Sequence, residues 1–117
     1  ALPILISLHV PLTTETYHFA DDSVLQSFIG PVILINTSRG AVVSLPDLIA
    51  NLKSGKVAGA CLDVLENEKI ETFSPEEEEN FQYLLQHDHV VMTPHIAGYS
   101  HEASYKMAHI VLKKLGI

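Results

Sequence analysis

At 117 residues the chain has room for one domain and no more, and 47% hydrophobic with 18% charged residues is the composition of a folded protein, not a disordered one. A formal net charge of −7 argues against nucleic acid or an anionic membrane surface as a main partner, because both demand a basic patch. No apolar run approaches the ~18 residues of a membrane helix and no basic start leads into a cleavage signal, so the sequence reads as cytoplasmic.

In chain order, the first element predicted is a strand over Ile4 to Val10. The chain enters this apolar run directly from Ala1, which reads as the middle of a longer polypeptide. Asp21 or Asp22 can then cap a helix reaching about Phe28, which Gly30-Pro31 stops. A second strand, Val32 to Ser38, follows. Ser44 opens a helix in which Leu45, Leu48, Ile49 and Leu52 recur at i, i+3, i+4 and i+7, and Gly55 closes it. The third strand is Val57 to Val64, and its lone Cys61 reads as a small buried residue. Ser74-Pro75-Glu76-Glu77 begins another helix, with a cap, a proline in the first turn and acids at the positive end of the dipole. Val90 to Thr93 is the fourth strand, and Ser100 caps a last helix over about 100–117.

All four strands are almost continuously apolar, the pattern of strands buried on both faces of a parallel sheet. Strand and helix alternate, so the expected fold is α/β: a partial doubly wound, Rossmann-like parallel sheet of about four strands with crossover helices. In such sheets ligands bind beyond the carboxyl ends of the strands. Those ends deliver His9-Val10-Pro11, Asn36-Thr37-Ser38-Arg39-Gly40, Asp63 through Glu68, and Thr93-Pro94-His95. Arg39 is the only arginine in the chain, a planar, permanently charged fork suited to a carboxylate. His95 can move a proton near neutrality, and an acidic neighbour would tune it.

These stretches resemble the ordered signatures of the D-isomer-specific 2-hydroxyacid dehydrogenases: Ser7-Leu8-His9-Val10-Pro11-Leu12-Thr13, Asn36 to Gly40, Leu62-Asp63-Val64 through Glu68, and Thr93-Pro94-His95-Ile96-Ala97-Gly98. The resemblance implies an NAD(P)-dependent enzyme that interconverts a small D-2-hydroxy acid and a 2-oxo acid, with NAD the expected cofactor and NADP left open. It implies that Arg39 binds the substrate carboxylate and carbonyl, that His95 is the general acid/base, and that Glu68 hydrogen-bonds His95. Asp63 would face the nicotinamide carboxamide, and the cofactor-lining set would be His9, Val10, Pro11, Thr37, Ser38, Arg39, Asp63, His95, Ala97 and Gly98. The physics suits these roles: hydride delivery to a 2-oxo acid leaves an alkoxide that needs a proton, and a glutamate beside the histidine favours the imidazolium.

Two positions depart from the family pattern. Lys69 stands after Glu68 where the family has proline, and Cys61 replaces a small residue before Leu62-Asp63. A larger departure is that the six glycines form no Gly-x-Gly-x-x-Gly turn, and no acid follows one to hold a ribose. The resemblance therefore makes residues 1–117 the C-terminal half of a dinucleotide-binding domain, with the last helix returning toward an absent substrate domain. Such a piece is expected to lack activity alone and to expose an apolar sheet edge that favours a homo-oligomer. The competing expectation is a non-catalytic α/β module that binds an anion or a partner at Arg39. No metal site is expected, since only His87 and His89 lie close together among the seven histidines.

Overall fold

A computed structural model describes residues 4–117; Ala1 to Pro3, which open the first apolar run, lie outside them. The elements are β1 (Ile4–Leu8), α1 (Asp22–Ser27), β2 (Val32–Asn36), α2 (Leu45–Ser54), β3 (Val57–Leu62), α3 (Pro75–Gln86), β4 (Val90–Met92) and α4 (His101–Lys114). Two short 3-10 turns, Gly40–Val42 and Ile70–Thr72, follow β2 and β3. The four strands form one parallel sheet in the order β1-β2-β3-β4. Each strand ends one or two residues before its expected limit, because the pairing stops where the chain turns into the loops.

Local chemistry sets the helix boundaries. Asp21 caps α1 by accepting the Val24 N–H at 2.9 Å. Ser74 and Glu77 form a reciprocal capping box at the start of α3: the Glu77 N–H donates to Ser74 Oγ at 3.2 Å and the Ser74 N–H to Glu77 Oε2 at 2.7 Å. Ser100 caps α4 through the Ala103 N–H at 3.0 Å. Gly55 ends α2 at φ 81°, a left-handed conformation that suits glycine.

Every crossover steps the same way along the sheet, and α1 touches α2, which touches α3. The three helices thus make one layer. Beneath it lies the core, including Leu25, Leu34, Leu48, Leu52, Ala60, Leu62 and Leu84. Buried Asn51 stitches α1 to α2, donating to Asp22 Oδ1 and accepting from Gln26 Nε2, both at 2.8 Å.

The sheet is not covered on both sides, as the continuous apolar runs suggested. Burial alternates along β2, with Val32, Leu34 and Asn36 buried and Ile33 and Ile35 half-buried. On the open face Ile35 pairs in register with Cys61, and Cys61 with Val91. Cys61 is therefore exposed, contrary to the buried position expected: it points away from the helical layer while its neighbours Ala60 and Leu62 point into it. α4 buries none of its residues. Among the described residues no helix is long and apolar enough to cross a membrane.

Candidate active site

The sheet hands its strand ends on in sequence. The Asp63 N–H donates to Asn36 O and the Thr93 N–H to Leu62 O, each at 3.0 Å, so the ladder continues past the strands and fixes the loops that leave them.

At the end of β2, buried Asn36 organises the turn that presents Arg39. Its Oδ1 accepts from Ser38 N at 3.1 Å and Ser38 Oγ at 2.8 Å, and its Nδ2 donates to Arg39 O at 3.0 Å. Arg39 is exposed, and its Nη1 donates only to Ser38 O, at 2.7 Å. Among the described residues it pairs with no carboxylate. An unpaired guanidinium at a strand end keeps its fork free for an anion. Thr37 is exposed beside it, as are Val10 and Pro11 beyond β1. His9 turns its Nε2 back to Ser7 Oγ at 2.6 Å.

Asp63, at the end of β3, is 5% exposed. Oδ1 accepts from Thr93 Oγ1 at 2.5 Å and from the Ile96 N–H at 2.8 Å, while Oδ2 accepts from the Ala97 N–H at 2.9 Å. Burial pushes its pKa up, but the hydrogen bonds from Thr93, Ala97 and Ile96, together with the nearby His95, outweigh burial and hold it below the ordinary value. Of the roughly four acceptor directions of a carboxylate, three are used. The one left is on Oδ2.

His95 is bent into place by these contacts. It sits at φ 54°, uncommon for a residue with a side chain, and its N–H is shared between Asp63 O at 2.9 Å and Thr93 O at 3.0 Å. Its Nδ1 lies 2.8 Å from Glu68 Oε2, with the two side chains 50% and 43% exposed. Because an ionised carboxylate only accepts, Nδ1 carries the proton of this bond and Nε2 is the nitrogen left to exchange a proton. Behind the pair, a cleft of about 340 Å³ is lined by apolar Ile70, Phe73, Phe81, Leu85 and Met92. Asn67 anchors the loop carrying Glu68, donating to Thr72 Oγ1 and to Glu77 Oε1 of α3, both at 3.2 Å.

The structure thus brings Glu68 to His95 and Asp63 to the segment Thr93–Ala97. Ala97 is held by its backbone. Gly98 meets no crowding that would demand glycine. Three residues that the sequence did not single out as organisers are Asn36, Thr93 and Glu66; Asn36 and Thr93 were visible as the polar residues that end strands. No cluster of three or more His, Cys, Asp or Glu suited to a metal occurs among the described residues.

Residues 4–97 match the family model described as D-isomer specific 2-hydroxyacid dehydrogenase, NAD binding domain. The chain is 48% identical over 110 residues to a glyoxylate reductase of Thermococcus litoralis and 44% identical over 110 residues to one of Korarchaeum cryptofilum, in each case across 94% of this chain. Among solved structures, D-lactate dehydrogenase from Aquifex aeolicus complexed with NAD and lactic acid superposes with a TM-score of 0.81 at 34% identity, over 96% of this chain and 36% of that one. The chain spans 30% and 31% of the two reductases, about a third of the length of the relatives it matches. With the sheet order, the strand-end site and the family match in agreement, the chain belongs to the D-isomer-specific 2-hydroxyacid dehydrogenases, matching their NAD-binding domain.

Proposed function

We propose that this chain supplies the catalytic half of an NAD-dependent reductase for a small 2-oxo acid such as glyoxylate, acting with a substrate-binding domain that α4 reaches back toward. The observation that carries the reading is the 2.8 Å bond from His95 Nδ1 to Glu68, at the same sheet edge as an unpaired Arg39. When bound, NAD supplies or accepts the hydride.

The chain's own residues fit one end of a dinucleotide. By the family resemblance His9, Val10, Pro11, Thr37 and Ser38 would line the cofactor, and the unused acceptor direction on Asp63 Oδ2 suits the carboxamide N–H of the nicotinamide. Ala97 and Gly98 would belong to the same cofactor-lining set. The turn that would hold the pyrophosphate is not among these residues, so NAD is favoured over NADP by the family match alone.

Arg39 orients the acid by donating from its guanidinium fork to the carboxylate oxygens and polarises the adjacent carbonyl. As the carbonyl carbon receives hydride, its oxygen becomes an alkoxide and takes the proton from His95 Nε2. Glu68 stabilises the charged ring before transfer and fixes its tautomer. Oxidation of the 2-hydroxy acid runs the same steps backwards.

The test is a chimera in which this chain replaces the matching 110 residues of the Thermococcus litoralis relative. NADH-dependent reduction of glyoxylate is expected, and Glu68→Gln or His95→Ala should each lower kcat by ~10²-fold or more. Arg39→Ala should reduce kcat/KM as strongly. Full activity in all three variants would overturn the assignment.

Self-association belongs to the same reading. Leu5 on edge strand β1 is 61% exposed, and Tyr105, Met107, Ile110 and Leu115 of α4 are also exposed. Such surfaces favour a homo-oligomer, which light scattering would report; a monomer at high concentration would count against it. The cytoplasm is the expected compartment, since the lone cysteine is a free thiol.

A further inference from the structure

Beyond the site residues, one side chain touches the loops that leave both β1 and β2 while itself belonging to the loop that leaves β3. Glu66 Oε1 accepts the Leu45 N–H, the first amide of α2, at 2.9 Å. The same oxygen lies 3.0 Å from His18 Nε2, with side-chain exposures of 31% for His18 and 28% for Glu66. Nε2 is closed off from solvent, and the contact is not aligned as a hydrogen bond. Among the described residues, the Glu66 carboxylate is the only charged group that meets it.

Each partner sits in a stiff segment. The His18 N–H donates to Ala41 O at 2.8 Å, its φ is 50°, and its ring stacks on Tyr17 with centroids 4.0 Å apart. Upstream, the Thr13 N–H donates to Thr16 Oγ1 at 2.7 Å and Thr16 Oγ1 donates to Pro11 O at 2.6 Å, so a hold on His18 is passed to Pro11. Downstream of Glu66, Asn67 is tied to α3 and Glu68 to His95.

We infer that Glu66 and His18 are positioning residues: they lock the β1 and β3 loops together and thereby set where Glu68 meets His95. Only Asn67 separates Glu66 from Glu68. If the Glu66 anchor is lost, Val64 and Leu65 keep their packing, but the chain between Leu65 and Asn67 loses its bond to α2 and the Glu68 carboxylate loses its fixed approach to Nδ1. The inference deepens the proposed function and rests on it for the kinetic arm of its test.

The structural arm uses NMR on this chain. Exchange of the His95 Nδ1 proton is expected to speed up about tenfold or more in Glu66→Ala, with the methyl shifts of Leu25 and Leu34 unchanged. Glu66→Gln retains an acceptor for the Leu45 N–H but removes the charge facing His18, so its acceleration, like that of His18→Gln, should be smaller than that of Glu66→Ala. Unchanged exchange in a folded Glu66→Ala, or equal loss in Glu66→Gln, would overturn the inference. In the chimera, Glu66→Ala should lower kcat about tenfold with KM within about twofold, and should add less than about twofold when Glu68 is already Gln. Independent, additive losses would also overturn it. A chimera that never reduces a 2-oxo acid, while exchange at His95 still follows Glu66, would count against the enzymatic reading and leave the positioning role standing.

Discussion

A Cβ atom on Gly40 would lie 1.9 Å from the carbonyl oxygen of Leu65 and 2.5 Å from the Glu66 nitrogen. The residue after Arg39 is therefore glycine because backbone passes where a side chain would be, and that contact sets the β2 loop against the β3 loop. Gly40→Ala should destabilise the chain by about 3 kcal/mol, since the obstacle is main chain rather than a movable side chain. Urea unfolding would show it as a lowered midpoint; an unchanged midpoint would mean that the two loops are free to separate.

Asp63→Asn should be costly for a different reason. Three donors converge on the carboxylate, from Thr93 Oγ1, Ile96 N and Ala97 N, and an amide offers one oxygen and a competing donor. Leaving a buried donor unmatched costs about 1–3 kcal/mol. The Ile96 and Ala97 amides should lose protection from exchange while the amides of β2 keep theirs.

Acid should act at the same place. Asp63 is held below its ordinary value despite the opposing effect of burial, and Glu77 is lowered by the Ser74 backbone N–H, with Asn67 helping. A carboxyl whose folded pKa is depressed contributes stability that is fully present above its unfolded value and is lost as pH falls through its folded value. Stability should thus be insensitive to these two groups near neutrality and decline as pH drops below their ordinary values of 3.8 and 4.5. Unfolding midpoints measured from pH 7 to pH 3 would check this, and Asp63→Asn should flatten the acid limb.

Cys61 should react with a thiol reagent in the folded chain, at a rate near that of the unfolded chain, because it lies on the open sheet face. Protection equal to that of a core thiol would show that another surface covers this face in solution.

What could be read from residues alone was whatever depends on near neighbours. The strand runs, the caps Asp21, Ser74 and Ser100, and the stop at Gly55 are decided within a few positions, and all occur where the pattern puts them. Ser44 marks the limit of that reasoning. It precedes α2 as expected but makes no capping bond through its side chain; the first amide of the helix is instead satisfied by Glu66, 21 positions later. The exposure of Cys61 was equally illegible, because in a run such as Val57 to Leu62 both faces are apolar and only tertiary packing decides which one is covered. The triple bond at Asp63 joins residues 30 to 34 positions apart, so no local pattern reveals it. The nearness of Glu68 to His95 was expected only through the resemblance to a known family.

The strand order has a dynamic consequence. Among the described residues β4, three residues long, lies at the edge of the sheet and is paired only with β3, yet it is the strand from which His95 hangs. Edge segments with few bonds open at a fraction of the free energy of global unfolding. Fraying of β4 would release the Thr93 amide from Leu62 and draw His95 away from Asp63, with β1 to β3 still intact. The residue proposed to transfer the proton is thus mounted on the member of the sheet expected to let go first, and substitutions that loosen β4 should erode turnover well before they register in melting temperature.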